Sequence, residues 1–190
     1  NLEKDFAWAD FDKDGDIDII TANDQGPIPP SQFGGVDRGY LRVYQNDGTG
    51  VYADVTQQAH TDRWGFWMGL AFGDLNNDGH MDMFASNVGN YTIQLMPVPH
   101  SQGNGNSSWF LGGADGIFTD PGVGTLKRTP FGWGASIVDY DNDGDSDIVY
   151  YGGFDLGLMV ESSNPGAILK NDGSGNFERD AKALARSIDH

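Results

Sequence analysis

Cysteine is absent from the 190 residues, which excludes a disulfide scaffold, thiolate zinc sites and a cysteine nucleophile. No apolar run approaches the roughly 18–20 residues that a helix needs to span a bilayer, so membrane insertion is not expected. Basic residues are scarce: 11 Lys and Arg face 28 Asp and Glu, for a formal net charge of −17. That balance argues against nucleic acid or an anionic membrane surface as the main partner. Glutamate is scarcer still, since only Glu3, Glu161 and Glu178 stand against 25 Asp. A solvated helical surface would favour Glu, whereas Asp belongs in turns, caps and hard-cation loops.

What is present is glycine, 28 residues of it, and enough apolar content (38%) to build the core of an ordinary domain. The chain starts at Asn1 rather than Met and shows no signal-peptide pattern, so a processed chain or a fragment is expected.

Self-similarity decides the rest. Asp10-Phe11-Asp12-Lys13-Asp14-Gly15-Asp16-Ile17-Asp18 recurs as Asp74-Leu75-Asn76-Asn77-Asp78-Gly79-His80-Met81-Asp82. It returns as Asp139-Tyr140-Asp141-Asn142-Asp143-Gly144-Asp145-Ser146-Asp147. The starts at 10, 74 and 139 give a period of 64 to 65 residues. Short apolar or small-residue runs flank each loop, Phe6–Ala9 and Ile17–Ile20 in the first copy. A second Asp-Gly turn follows between β-rich runs, at Asn46-Asp47-Gly48, at Asp115-Gly116 in shortened form, and at Asn171-Asp172-Gly173. Each period therefore reads strand, Asp loop, strand, insert, strand, turn, strand: a four-stranded antiparallel unit of propeller-blade size. The fold class is all-β, with three blades. Residues 1–190 form a single propeller region, with repeats at about 6–62, 66–120 and 131–180 and a short C-terminal tail at 181–190. Only 179–188 has the spacing of a short helix. Propellers have typically 4–8 blades, so three are expected to belong to a larger ring of about seven, with a homodimeric six-bladed ring as the alternative.

Oxygen at loop positions one, three, five and nine, with a backbone carbonyl at seven, suits a hard cation, and calcium better than magnesium. Three calcium sites are expected. The first takes the side chains of Asp10, Asp12, Asp14 and Asp18 with the carbonyl of Asp16. The second takes Asp74, Asn76, Asp78 and Asp82 with the carbonyl of His80. The third takes Asp139, Asp141, Asp143 and Asp147 with the carbonyl of Asp145. An EF-hand is excluded, because its twelfth position needs Glu and this chain has Thr21, Ala85 and Tyr150 there.

These residues resemble the FG-GAP/VCBS type of calcium-binding repeat, found in integrin α-subunit propellers and many secreted bacterial proteins. The run from Trp133 to Ile148, followed by Leu169 to Phe177, is similar to the cartilage-acidic-protein flavour of that family and its bacterial relatives. The resemblance implies a calcium-bearing propeller and leaves open adhesion, lectin-like binding or scaffolding.

No catalytic constellation emerges, since His60, His80, His100 and His190 keep no spacing to a nucleophile or to one another. The leading expectation is a non-enzymatic, calcium-stabilised binding or scaffold module, extracellular, on the cell surface or periplasmic. Its partners are other protein chains or the rest of the same propeller. Variable inserts around 25–39, 97–108 and 152–165 would carry specificity from one face. The alternative is carbohydrate binding, with Trp64 and Trp67 as an aromatic platform for a glycan. An enzyme using Asp37, Asp62 or His100 as acid or base is the third reading. Asn90-Tyr91-Thr92 and Asn106-Ser107-Ser108 fit the glycosylation pattern, with unmodified asparagine the expected state.

Overall fold

The computed structural model describes residues 3–25, 39–88, 105–121, 132–152 and 167–180. Twelve strands are ordered along these segments and gather into three four-stranded antiparallel sheets, each a simple meander. The first holds β1 (Glu3–Ala9), β2 (Asp18–Asn23), β3 (Arg42–Asn46) and β4 (Tyr52–Asp54). The second holds β5 (Leu70–Gly73), β6 (Asp82–Ala85), β7 (Ser108–Gly112) and β8 (Phe118–Thr119). The third holds β9 (Ala135–Val138), β10 (Asp147–Tyr150), β11 (Ala167–Asn171) and β12 (Phe177–Arg179). The chain is all-β among the described residues, and its sheets are propeller-like blades that do not close on themselves. Of the expected helix at 179–188, Arg179 belongs to β12 and 181–190 lie outside the described residues.

Strand alternation explains how the blades stack, because residues two apart share a face. In the first sheet Ala7, Ile20 and Val43 lie side by side across three strands. In the second, Phe72, Met83 and Phe110 form the matching row, and the two rows share one buried cluster with Trp67 and Leu70. The opposite face of the second sheet carries Phe84 and Trp109, which pack against the row Ile137, Ile148 and Leu169 of the third. Each fully buried side chain of this size contributes about 1.5–3 kcal/mol. The middle blade is thus covered on both faces, which is why β6 is buried at all four residues.

The Asp loops join the first strand of each blade to the second, at one end of the sheet. Their second residues, Phe11 and Leu75, are buried, and Phe11 stacks on Phe118 with ring centroids 6.0 Å apart. This apolar plug pins each of those loops to the junction with the neighbouring blade.

Candidate metal centres

Backbone geometry shapes the loops before any side chain acts. Position six is glycine at φ 99°, 83° and 97° in Gly15, Gly79 and Gly144. Position four is left-handed too, at Lys13 (61°), Asn77 (57°) and Asn142 (62°). Asn visits this region readily and Lys does not, so Lys13 costs about 1–2 kcal/mol to hold there.

The turn aims N–H groups at the carboxylates that it gathers. Gly15, Gly79 and Gly144 donate to the first-position Asp10, Asp74 and Asp139 at 3.2, 2.8 and 3.1 Å. Asp16, His80 and Asp145 donate their N–H to the fifth-position Asp14, Asp78 and Asp143 at 2.9, 2.8 and 3.1 Å.

The ninth position has a second task. Asp18, Asp82 and Asp147 are fully buried. In each, Oδ2 accepts the N–H of the loop's second residue, Phe11, Leu75 or Tyr140. Oδ1 accepts an N–H from the blade's third strand, at Asn46, Gly112 or Asn171, always at 2.8 Å. One carboxylate thus staples loop, second strand and third strand together. With about four lone-pair sites it retains capacity for a cation. Burial pushes all three carboxyls up, Asp82 to about 6, with the loop's other carboxylates adding to the rise.

The gathering differs between loops. Ligand atoms of Asp139, Asp141, Asp143 and Asp147 all lie within 4.8 Å of one another, and so do those of Asp10, Asp12 and Asp18. Asp14 stands outside that first group but remains in the loop. In the middle loop Asn76 replaces a carboxylate, and its amide donates to Asp78 at 3.0 Å.

The residues fit a calcium ion. Every donor is oxygen, as a hard cation requires. In the first loop Asp10 Oδ1 is buried with no hydrogen-bond partner, a costly state for a carboxylate oxygen that a cation would relieve. The side chains of Asp16 and Asp145 stand against the turn glycines Gly48 and Gly173, where a Cβ added to Gly173 would meet Asp145 Oδ1 at 2.6 Å.

Trp67 is a correction to the aromatic platform. It is 2% exposed, lies in the first core against Phe110, and donates its indole N–H to the Arg63 carbonyl, so it offers no face to a sugar. Trp64 is half-buried, edge-on to Tyr40 at 5.1 Å. Asp62 is exposed, while Asp37 and His100 lie outside the described residues. Asn106 of the second glycosylation triplet is buried, and Asn90 lies outside the described residues.

Sequence reasoning missed two sets of residues. Asn46 and Asn171 were read only as hairpin formers. Each also accepts two turn N–H groups, from Gly48 and Gly50 or from Gly173 and Gly175. Asn171 further donates to the carbonyls of Ser146 and Leu75, at 2.8 and 2.6 Å. The signal was the shared Asn before both Asp-Gly turns. The second set is cationic or amide-bearing: Lys170 bonds Asp141 and Asp143, and Gln45 bonds Asp12. Nothing in the spacing marked these.

Comparison with curated proteins gives no match. The sequence profile described as FG-GAP-like repeat matches residues 10–85 and 100–150, about two thirds of the chain.

Proposed function

The chain belongs to the FG-GAP-like repeat family, and on that footing we propose a non-enzymatic binding or scaffold module, rigidified by calcium and displayed outside the cytoplasm. Repeats of this family point to a propeller-like protein-interaction module, generally without catalysis. The calcium reading is carried by one observation: oxygen donors from positions one, three, five and nine converge in the third loop within 4.8 Å. Four carboxylates so placed repel one another strongly, and the single ammonium of Lys170 beside Asp141 and Asp143 offsets one charge of the four. Asp139, Asp141, Asp143 and Asp147 would hold the ion there, Asp10, Asp12, Asp14 and Asp18 in the first loop, and Asp74, Asn76, Asp78 and Asp82 in the second. The seventh-position carbonyls complete each set. A bound cation supplies charge neutralisation and fixes the turn, and the staples at Asp18, Asp82 and Asp147 pass that rigidity into the blades.

Millimolar calcium outside the cytoplasm keeps even weak sites of this kind filled. The partner surface lies with the variable inserts, and other protein chains or further blades of the same propeller are the partners. The experiment is thermal unfolding with calcium and after its removal. A ligand that binds only the folded state raises the melting temperature by mass action, and resistance to protease at the loops follows it. Identical melting curves in both conditions would overturn the calcium reading.

A further inference from the structure

One position beside each Asp loop differs in chemistry from blade to blade. It is the third-strand residue that precedes the N–H donor to the ninth carboxylate, and it is Gln45, Leu111 or Lys170. Leu111 brings no polar atom to the middle loop and packs on the second core. Gln45 donates its neutral amide to Asp12. Lys170 brings a full positive charge: its ammonium bonds Asp141 and stands 2.9 Å from Asp143. Both partners are ligands of the third calcium site in the reading above.

We propose that Lys170 is a built-in counter-cation of the third loop, an ammonium that occupies part of the calcium site and competes with the ion for Asp141 and Asp143. The proposal rests on the loops being calcium sites and adds that the three are not equivalent. Loops one and three present the same four carboxylates, so ligand count alone assigns them equal affinity. Lys170 cancels one of the four charges in the third. A divalent ion entering beside it meets a like charge within a few ångströms, so calcium and the ammonium exclude each other. The exchange is structurally cheap. The Lys170 side chain is 35% exposed on a flexible stem, and it swings into solvent without disturbing the sheet, since its backbone position in β11 is held by strand pairing. Without calcium the ammonium relieves the repulsion among the four gathered carboxylates, whereas the first loop, which gathers three, has the neutral Gln45 at this position. The third blade is therefore the one whose loop stays ordered at low calcium.

The test is a calcium titration followed by site-resolved NMR of the loop amides, Gly144 and Asp145 for the third loop and Gly15 and Asp16 for the first. Lys170→Gln, which copies the first blade, should tighten the third loop about tenfold and leave the first unchanged. Lys170→Arg keeps the charge and should keep the weaker affinity. A second readout needs no calcium: Lys170→Gln should lower the melting temperature of the calcium-free protein, and Lys170→Arg should not. Third-loop affinity that is the same in wild type and Lys170→Gln overturns the proposal while leaving the calcium reading intact. Amides that shift in no loop on adding calcium overturn the calcium reading itself.

Discussion

Asn77 reaches out of the second Asp loop into the third blade, where its side-chain amide donates to the Asp145 carboxylate at 3.0 Å and to the Gly173 carbonyl at 3.3 Å. One blade earlier, Lys13 does the same from the first loop, donating its ammonium to the Gly79 carbonyl of the second. Both sit at loop position four, the left-handed position, so the turn that gathers the carboxylates also points this side chain at the next loop. Consecutive loops are thereby tied from blade to blade by struts independent of the apolar cores.

The strut predicts a graded pair of variants. Asn77→Gly removes both hydrogen bonds and keeps the left-handed backbone easy, so it should cost about 0.5–1 kcal/mol at this exposed site. Asn77→Ala loses the same bonds and also strains the backbone, adding about 1 kcal/mol. Urea unfolding measures both, and equal stabilities for the two variants would show that φ at this position carries no strain.

The buried staple and the exposed ligands separate by their dependence on calcium. Asp18→Asn sets an amide N–H₂ against one of two backbone N–H donors in a fully buried site. It should cost about 2–3 kcal/mol without calcium, and more in calcium, where a ligand is lost as well. Asp14→Asn keeps an acceptor for the Asp16 N–H and removes one repelling charge. In the calcium-free protein it should be close to neutral, and in calcium it should lower the melting temperature. If Asp18→Asn were harmless without calcium, the ninth position would be a ligand and nothing more.

Much of this architecture was legible in the sequence because it is periodic. Three copies of one loop fix its place between the strands, but not which strand face is buried: in β1 the large Phe6 and Trp8 are exposed, while Ala7 packs on the core and Ala9 is buried. The absence of thiolate metal sites follows from residue types alone, since the chain has no cysteine. What escaped was whatever depends on two distant segments meeting. The donors Asn46 and Asn171 lie 28 and 24 residues from their carboxylates, and no local pattern ties them together. Trp67 was a candidate platform because a tryptophan near a strand start carries no sign of which blade it will face. Once the first two sheets pack, it is enclosed between them, and of the two platform residues Trp64 alone keeps partial exposure.

The acid end of the stability curve has a separate cause, at Asp54. Burial would raise this carboxyl, but the Thr56 hydroxyl at 2.5 Å, the Thr56 N–H and Arg42 at 2.7 Å outweigh it and hold it below the ordinary value. A lowered folded-state value contributes stability above the unfolded one, about 3.9, and loses it as pH falls through the folded value. Asp54→Asn should therefore cost about 0.5–1 kcal/mol at pH 7, a modest amount because the pair is partly exposed. The difference from wild type should shrink steadily below about pH 4. A difference that does not change with pH would assign the effect to packing rather than charge.

The middle loop should bind calcium more weakly than the first. Its side-chain ligands carry charge at Asp74, Asp78 and Asp82 only, one fewer than the four carboxylates of each other loop. The replaced position is turned inward on the loop: Asn76 accepts the Asp78 N–H at 3.2 Å and donates its amide to the Asp78 carboxylate at 3.0 Å. That donation must break for Asp78 to face a cation. Asn76→Asp removes it and restores the fourth charge, so calcium should bind the middle loop about tenfold tighter, in line with the dependence of such sites on ligand charge. The same substitution should destabilise the calcium-free protein, because the added carboxylate repels Asp74, Asp78 and Asp82, Leu111 stands where the third loop has Lys170, and the Lys13 ammonium bonds the Gly79 carbonyl rather than a carboxylate. Calorimetry with and without calcium reads both effects with opposite signs. If Asn76→Asp tightened binding without weakening the calcium-free fold, the gain would come from ligand geometry rather than charge. If it did neither, charge count would not be what ranks the three loops.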